Sequence, residues 1–143
     1  MPASPSSSAP QPSTAERLKA LVPAQHAGWK PHSLAGAARD LEGTPPRTVE
    51  AEFRRAKARV QMSVTETSSA PPPAANVDRK TDEGSEKVYA EGTSVVRETV
   101  RRIDGRTTVA LMRADGIVVI VDAIGVPAAD MKELALGVKP ASH

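Results

Sequence analysis

Three groups of side chains in this 143-residue chain could do chemistry. Glu98 stands between Val96 and Val100 in a stretch with strand spacing, so it shares their apolar face. A carboxylate among apolar neighbours has its pKa raised by lost solvation, or it needs a cationic partner. In a cleft it could serve as a general acid or base. No second catalytic group falls beside it in the sequence. The simpler expectation is therefore a structural pair with an arginine, or a bulge that turns Glu98 outward. The second group is basic: Arg54, Arg55, Lys57 and Arg59 form one run, and Arg97, Arg101, Arg102 and Arg106 another. Such runs could hold phosphates, RNA or an anionic membrane surface. Glu50, Glu52, Glu66 and Glu98 lie close by in sequence, and aromatic stacking platforms are absent. A solvated, mixed-charge sheet face is the plainer reading, with the arginines as partner or anion contacts.

The third group is His26 and His32, which flank Trp29. A metal centre needs further ligands at recognisable spacing, and none appears. The carboxylates Asp78, Asp82, Glu83 and Glu86 lack calcium-loop spacing. There is no phosphate-binding glycine loop, no nucleophile elbow and no His-Glu-x-x-His pattern. With no cysteine, thiolate catalysis and disulfides are excluded. The expectation is a protein with no catalytic, cofactor or metal site.

The elements that must position these groups follow from composition and periodicity. Aromatics supply only 2% of the residues, so the core must be built from aliphatic side chains. The formal net charge of +2 does not demand a nucleic-acid partner. No apolar run is long enough to span a bilayer, although peripheral membrane contact stays open. Residues 1–12, rich in Pro, Ser and Ala, read as a disordered tail. A single domain is expected over 13–138, with a long Pro-rich loop at 68–84 and a disordered end at 139–143.

Ser13 and Glu16 fit a capping box that opens a helix over 13–22. The stretch 23–46 is ambiguous: Gly28-Trp29-Lys30-Pro31 reads as a turn, and 33–42 as a short strand or a helical turn. Val49, Ala51 and Phe53, then Val60, Met62 and Val64, alternate with polar residues and predict a hairpin. Glu91-Gly92, Asp104-Gly105 and Asp115-Gly116 punctuate the C-terminal half. Two-residue turns at Asp104-Gly105 and Asp115-Gly116 would place Glu98 opposite Leu111 and Leu111 opposite Ile120. The predicted core face is then Val96, Val100, Val109, Leu111, Val118 and Ile120. The run Ile117–Val121 is apolar on both sides and predicts a central strand. Pro127 fits the first position of a last helix, and Gly137 the residue past its end. The fold class read from this order is α+β: an antiparallel β-meander sheet packed by an N-terminal and a C-terminal helix.

The segments VQMSVTE at 60–66, NVDRKTDEGSEK at 76–87 and DGIVVIVDAIGVPAADMKELA at 115–135 together resemble small α+β domains of the bacterial envelope, in the neighbourhood of the DcrB and LpqN-like proteins. The Gly28-Trp29 pair resembles the opening of many of them. The resemblance implies an extracytoplasmic binding or structural module without catalytic residues, contacting a protein partner or an envelope component. The chain shows no signal pattern or lipobox cysteine, so export would need a signal removed from this sequence. The alternative is a cytoplasmic accessory subunit that docks on a larger, anionic assembly through its arginines. An enzyme using Glu98 ranks last, and nucleic acid is disfavoured as a partner.

Overall fold

The computed structural model describes residues 14–36, 48–67 and 76–141. The expected tail at 1–12, and the segments 37–47 and 68–75, lie outside them. In chain order the elements are α1 (Thr14–Leu21), β1 (Lys30–Gly36), β2 (Thr48–Arg55), β3 (Ala58–Glu66), β4 (Val77–Thr81), β5 (Gly84–Glu91), β6 (Ser94–Arg101), β7 (Arg106–Met112), β8 (Ile117–Ile124) and α2 (Ala128–Ala135). The strands form one eight-stranded sheet in the order β1-β2-β3-β8-β7-β6-β5-β4. Every pairing is antiparallel. This is a mainly-β α+β fold made of two meanders. The second runs inward from the far edge, so that its last strand, β8, pairs with β3.

The alternating pattern of β2 and β3 buries Val49, Ala51, Phe53, Val60, Met62 and Val64 on one face. β8 is central, as its two-sided apolar character requires, and it adds Ile117, Val119, Val121 and Ala123 to the same face. Leu18 and Leu21 of α1 and Met131, Leu134 and Ala135 of α2 belong to the same buried cluster. α1 contacts β1, β2 and β3, while α2 contacts β7 and β8.

Two hairpins depart from the two-residue turns expected of Asp-Gly. Arg101 pairs with Arg106, so residues 102–105 form the loop, and Glu98 sits opposite Val109 rather than Leu111. That shift is by two residues and leaves each side chain on its expected face. At the next turn the Arg113 amide bonds the Ile117 carbonyl, and Gly116 takes a φ of 85°. The loop is therefore Ala114-Asp115-Gly116, a three-residue turn closed by a left-handed glycine. An odd loop length moves β8 by one place: Leu111 meets Val119, not Ile120. The expected core residues Val118 and Ile120 consequently lie on the opposite face, and Val119 and Val121 replace them.

The loop expected at 68–84 is shorter than read: Val77–Thr81 and Gly84–Glu91 pair as a hairpin. β4 has no buried residue and one partly buried valine, so period-two patterning could not reveal it. The segment 30–36 is a strand, entered through a tight turn in which Ala27 and Gly28 both have positive φ. Pro127 caps α2 in an extended conformation instead of opening it. Gly137 follows the helix where the His26 ring packs, since a Cβ there would lie 2.6 Å from His26 Cγ. The chain beyond 138 is not free at 139–141. The Lys139 amide donates to the Leu21 carbonyl, and the Ala141 amide bonds Asp115.

Candidate functional site

Strand register brings the two basic runs to one end of the sheet. Arg55 ends β2, Lys57 follows in the β2–β3 turn, and the β6–β7 loop carries Arg102. Only β8 and β7 separate β3 from β6. On the face opposite the core, Arg54 pairs across strands with Arg59, Ile124 with Arg106, and Arg106 with Arg101. These residues form one rung whose span from β3 to β6 is about 14 Å at the usual strand spacing.

Several of these charges are already engaged. Arg54 Nε bonds Glu52 at 2.6 Å, and that contact holds the Glu52 carboxyl below its ordinary range. Arg106 bonds Asp122 at 2.7 Å. Arg101 bonds both carboxylate oxygens of Asp104, whose pKa falls to about 2 mainly through that contact. Arg55 turns to the core side: its guanidinium lies 4.4 Å from the Trp29 ring centroid and bonds Asp130 at 3.0 Å. Its guanidinium is thus engaged within the fold while its side chain stays 33% exposed. Arg97 lies further along β6 beside Glu86, at 3.5 Å. Lys57, Arg59 and Arg102 carry no ion pair among the described residues, and neither does Lys80 of β4.

Glu98 does lie on the core-side face, with Val96 and Val109 as its same-face and cross-strand neighbours. Its partner is not an arginine: the Tyr89 hydroxyl donates to it. Nothing in the β6 register shows a bulge there. Beside this pair, Lys132 of α2 reaches across to Glu91 at 2.9 Å and stands 5.1 Å from the centre of the Tyr89 ring. Burial, then the bond to Glu98, raises the Tyr89 pKa, and the bond to Glu91 raises that of Lys132. A tyrosine made harder to ionise is a weaker acid and keeps its proton on the bond to Glu98. The opposite charges here satisfy one another, so the cluster works as a strap tying α2 to β5 and β6. Sequence reading missed Tyr89, Glu91 and Lys132 because nothing local marks them as neighbours of Glu98.

This strap gives a pH prediction. Tyr89 and Lys132 have folded pKa values raised above their ordinary 10.0 and 10.5. Their contribution is present below those values and is lost as pH rises through the raised ones. Tyr89 is the only tyrosine, so ultraviolet titration reads it without overlap. Glu98→Gln should move its midpoint down towards 10.0, incompletely because burial remains, and should blunt the alkaline loss of stability. An unchanged midpoint would show that the Tyr89–Glu98 bond is not made in solution.

A second clamp lies at the other end of the sheet. Arg113 bonds Asp115 and the carbonyls of Val138 and Lys139, both at 3.0 Å. Burial pushes the Asp115 pKa up, but the bonds from Arg113 and from the Ala141 and Ile117 amides outweigh it, and the net shift is down. Nearby, a cavity of about 260 Å³ opens between α1 and the C-terminal segment, lined by Leu18, Leu21, Ile117 and Pro140, with Arg17 and Glu66 among its other lining residues. His26 packs on Gly137 and His32 is exposed on β1. Among the described residues no group of His, Asp or Glu could hold a metal ion, and no helix is long and apolar enough to cross a membrane.

Among the described residues, both helices pack on the core side, and neither covers the opposite face of the sheet. Of its described residues only Val95 is buried. Ala90, Val95, Met112 and Val118 make an apolar rung across β5, β6, β7 and β8. The next rung holds Val88, Arg97, Ala110 and Ile120. No protein-family model matches the chain, and no curated protein or solved structure matches it either.

Proposed function

We propose that this chain is a non-catalytic binding module that seats a protein partner on the uncovered face of its sheet. One observation carries the reading: two adjacent rungs of that face are apolar across four strands except at Arg97, and Ile120 within them is 37% exposed. An apolar centre bordered by polar groups is the anatomy of a protein interface. The charges around it are paired in both signs, as in Arg54–Glu52, Arg97–Glu86 and Arg106–Asp122, which suits a protein better than a polyanion. The sheet edges are poor alternatives. β4 is short and carries Asp78, Arg79 and Lys80, while β1 carries Pro31 and a register shift beside it. The bacterial envelope is part of this proposal as the setting, and it rests on the DcrB and LpqN-like resemblance.

The test compares capture from a host extract by the wild-type chain and by Ile120→Arg and Met112→Arg. A partner held in stoichiometric amount by the wild type and lost by both variants, with circular dichroism unchanged, supports the proposal. Equal capture by all three, or no capture by the wild type, sinks it. So does sedimentation showing wild-type dimers that Ile120→Arg dissociates, because the face would then belong to a second copy.

A further inference from the structure

The basic end of the sheet also carries two aliphatic side chains in water. Ile103, in the β6–β7 loop, is 88% exposed, and Ile124, at the end of β8, is 58% exposed. The Gly125 amide meets the Gly105 carbonyl at 3.4 Å, which holds the end of β8 against that loop. Ile103 is flanked by Arg102, and Ile124 pairs across strands with Arg106. Lys57, Arg59 and Lys80 stand on the adjoining turn and strands, without ion pairs among the described residues. The carboxylates at this end are Asp104 and Asp122, engaged by Arg101 and Arg106, Glu52, engaged by Arg54 with Arg59 also acting on it, Glu86, engaged by Arg79 and Arg97, and Asp82 and Glu83 on the β4–β5 turn.

We propose that this end of the sheet is a docking tip for an anionic lipid surface, with Ile103 and Ile124 entering the acyl boundary and Lys57, Arg59, Lys80 and Arg102 meeting headgroup phosphates. The argument rests on the combination. An isoleucine on a convex loop has no pocket of its own, so an anionic peptide would answer the cations and leave Ile103 in water. A nucleic acid would do the same, and no aromatic side chain is exposed here for its bases to stack on. A bilayer offers phosphates at one depth and hydrocarbon just beneath it. Each unpaired cation near such a surface contributes about fivefold in affinity, and each isoleucine inserted on the order of tenfold or more. Binding should be reversible and salt-sensitive. This tip does not depend on the apolar rungs, the nearer of which lies four residues from Ile124 along β8, at Ile120.

The experiment is vesicle co-sedimentation of the full chain with phosphatidylcholine alone and with phosphatidylcholine containing phosphatidylglycerol. Binding to the anionic vesicles, absent from the neutral ones, is expected. Ile103→Asp should weaken it about tenfold or more, as should Arg59→Gln combined with Arg102→Gln, while Ile120→Arg leaves it intact. These positions are exposed, and circular dichroism verifies that each variant folds. Failure of the wild type to sediment, equal binding to neutral vesicles, or an Ile103→Asp variant that binds as well as the wild type each overturns the proposal. So does a single-stranded oligonucleotide that binds the wild type more tightly than the anionic vesicles do.

Discussion

Val119→Asp should unfold this domain, whereas Ile120→Asp should leave it folded. Val119 is fully buried and pairs across strands with Val64 and Leu111. Its burial is worth about 1.5–3 kcal/mol, and an unpaired carboxylate in its place adds a desolvation cost of several kcal/mol. The total is a large part of the roughly 5–15 kcal/mol that holds an ordinary domain together. Ile120 lies on the uncovered face, so its replacement should cost about 1 kcal/mol through lost strand preference. Thermal melts of the two variants decide it: no folded baseline for the first, and a shift of roughly 4–8 °C for the second. The reverse outcome would mean that β7 and β8 close through a two-residue turn, with the whole of β8 facing the other way.

The second large effect belongs to Gly84. It pairs with Arg101, and a Cβ built on it would fall 1.9 Å from the Val100 carbonyl oxygen. The obstacle is backbone on the neighbouring strand, so no side-chain rearrangement relieves it. Gly84→Ala should cost about 3 kcal/mol or more, or detach β4 and the start of β5 from the sheet. Gly92→Ala is the matched control. Its φ of 62° is also left-handed, but nothing lies within 4 Å, so it should cost only the 1–2 kcal/mol of the strained backbone. Urea midpoints of the two variants test the difference. Equal midpoints would show that β5 and β6 do not approach as closely as described. Hydrogen exchange would reveal a local loss confined to β4 and β5.

Much of the architecture is legible locally. Period-two alternation over 48–65 marks the β2–β3 hairpin, because one face of that pair meets the core and the other meets water. The helices at each end announce themselves through spacing; the capping box read at Ser13 lies outside the described residues, and Pro127 sits one place earlier in its helix than its type implied. β8 is apolar on both sides and had to be central. β4 left no such trace: an edge strand with no buried residue has nothing to alternate.

The candidate sites were less legible. Two strands, β8 and β7, separate Arg59 on β3 from Arg101 on β6, and three separate Arg54 on β2 from it, but the two runs are dozens of residues apart in sequence. Glu98 was recognisable as a carboxylate on the core side, yet its Tyr89 partner comes from β5 and the neighbouring Lys132 from α2.

The sequence by itself determined the element types, the apolar face of each hairpin arm taken alone, and the presence of one carboxylate on the wrong side of a strand. These depend on side-chain period and on residues within one turn of each other. The tertiary structure decided the length of each loop, and with it which face of β8 is buried, because an Asp-Gly pair fits turns of two, three or four residues. It also decided that β8 pairs with β3, that two separate basic runs share one end of the sheet, and that Arg55 stacks on Trp29 and bonds Asp130. Those outcomes rest on contacts between distant segments, whose energy exists only once the sheet has closed.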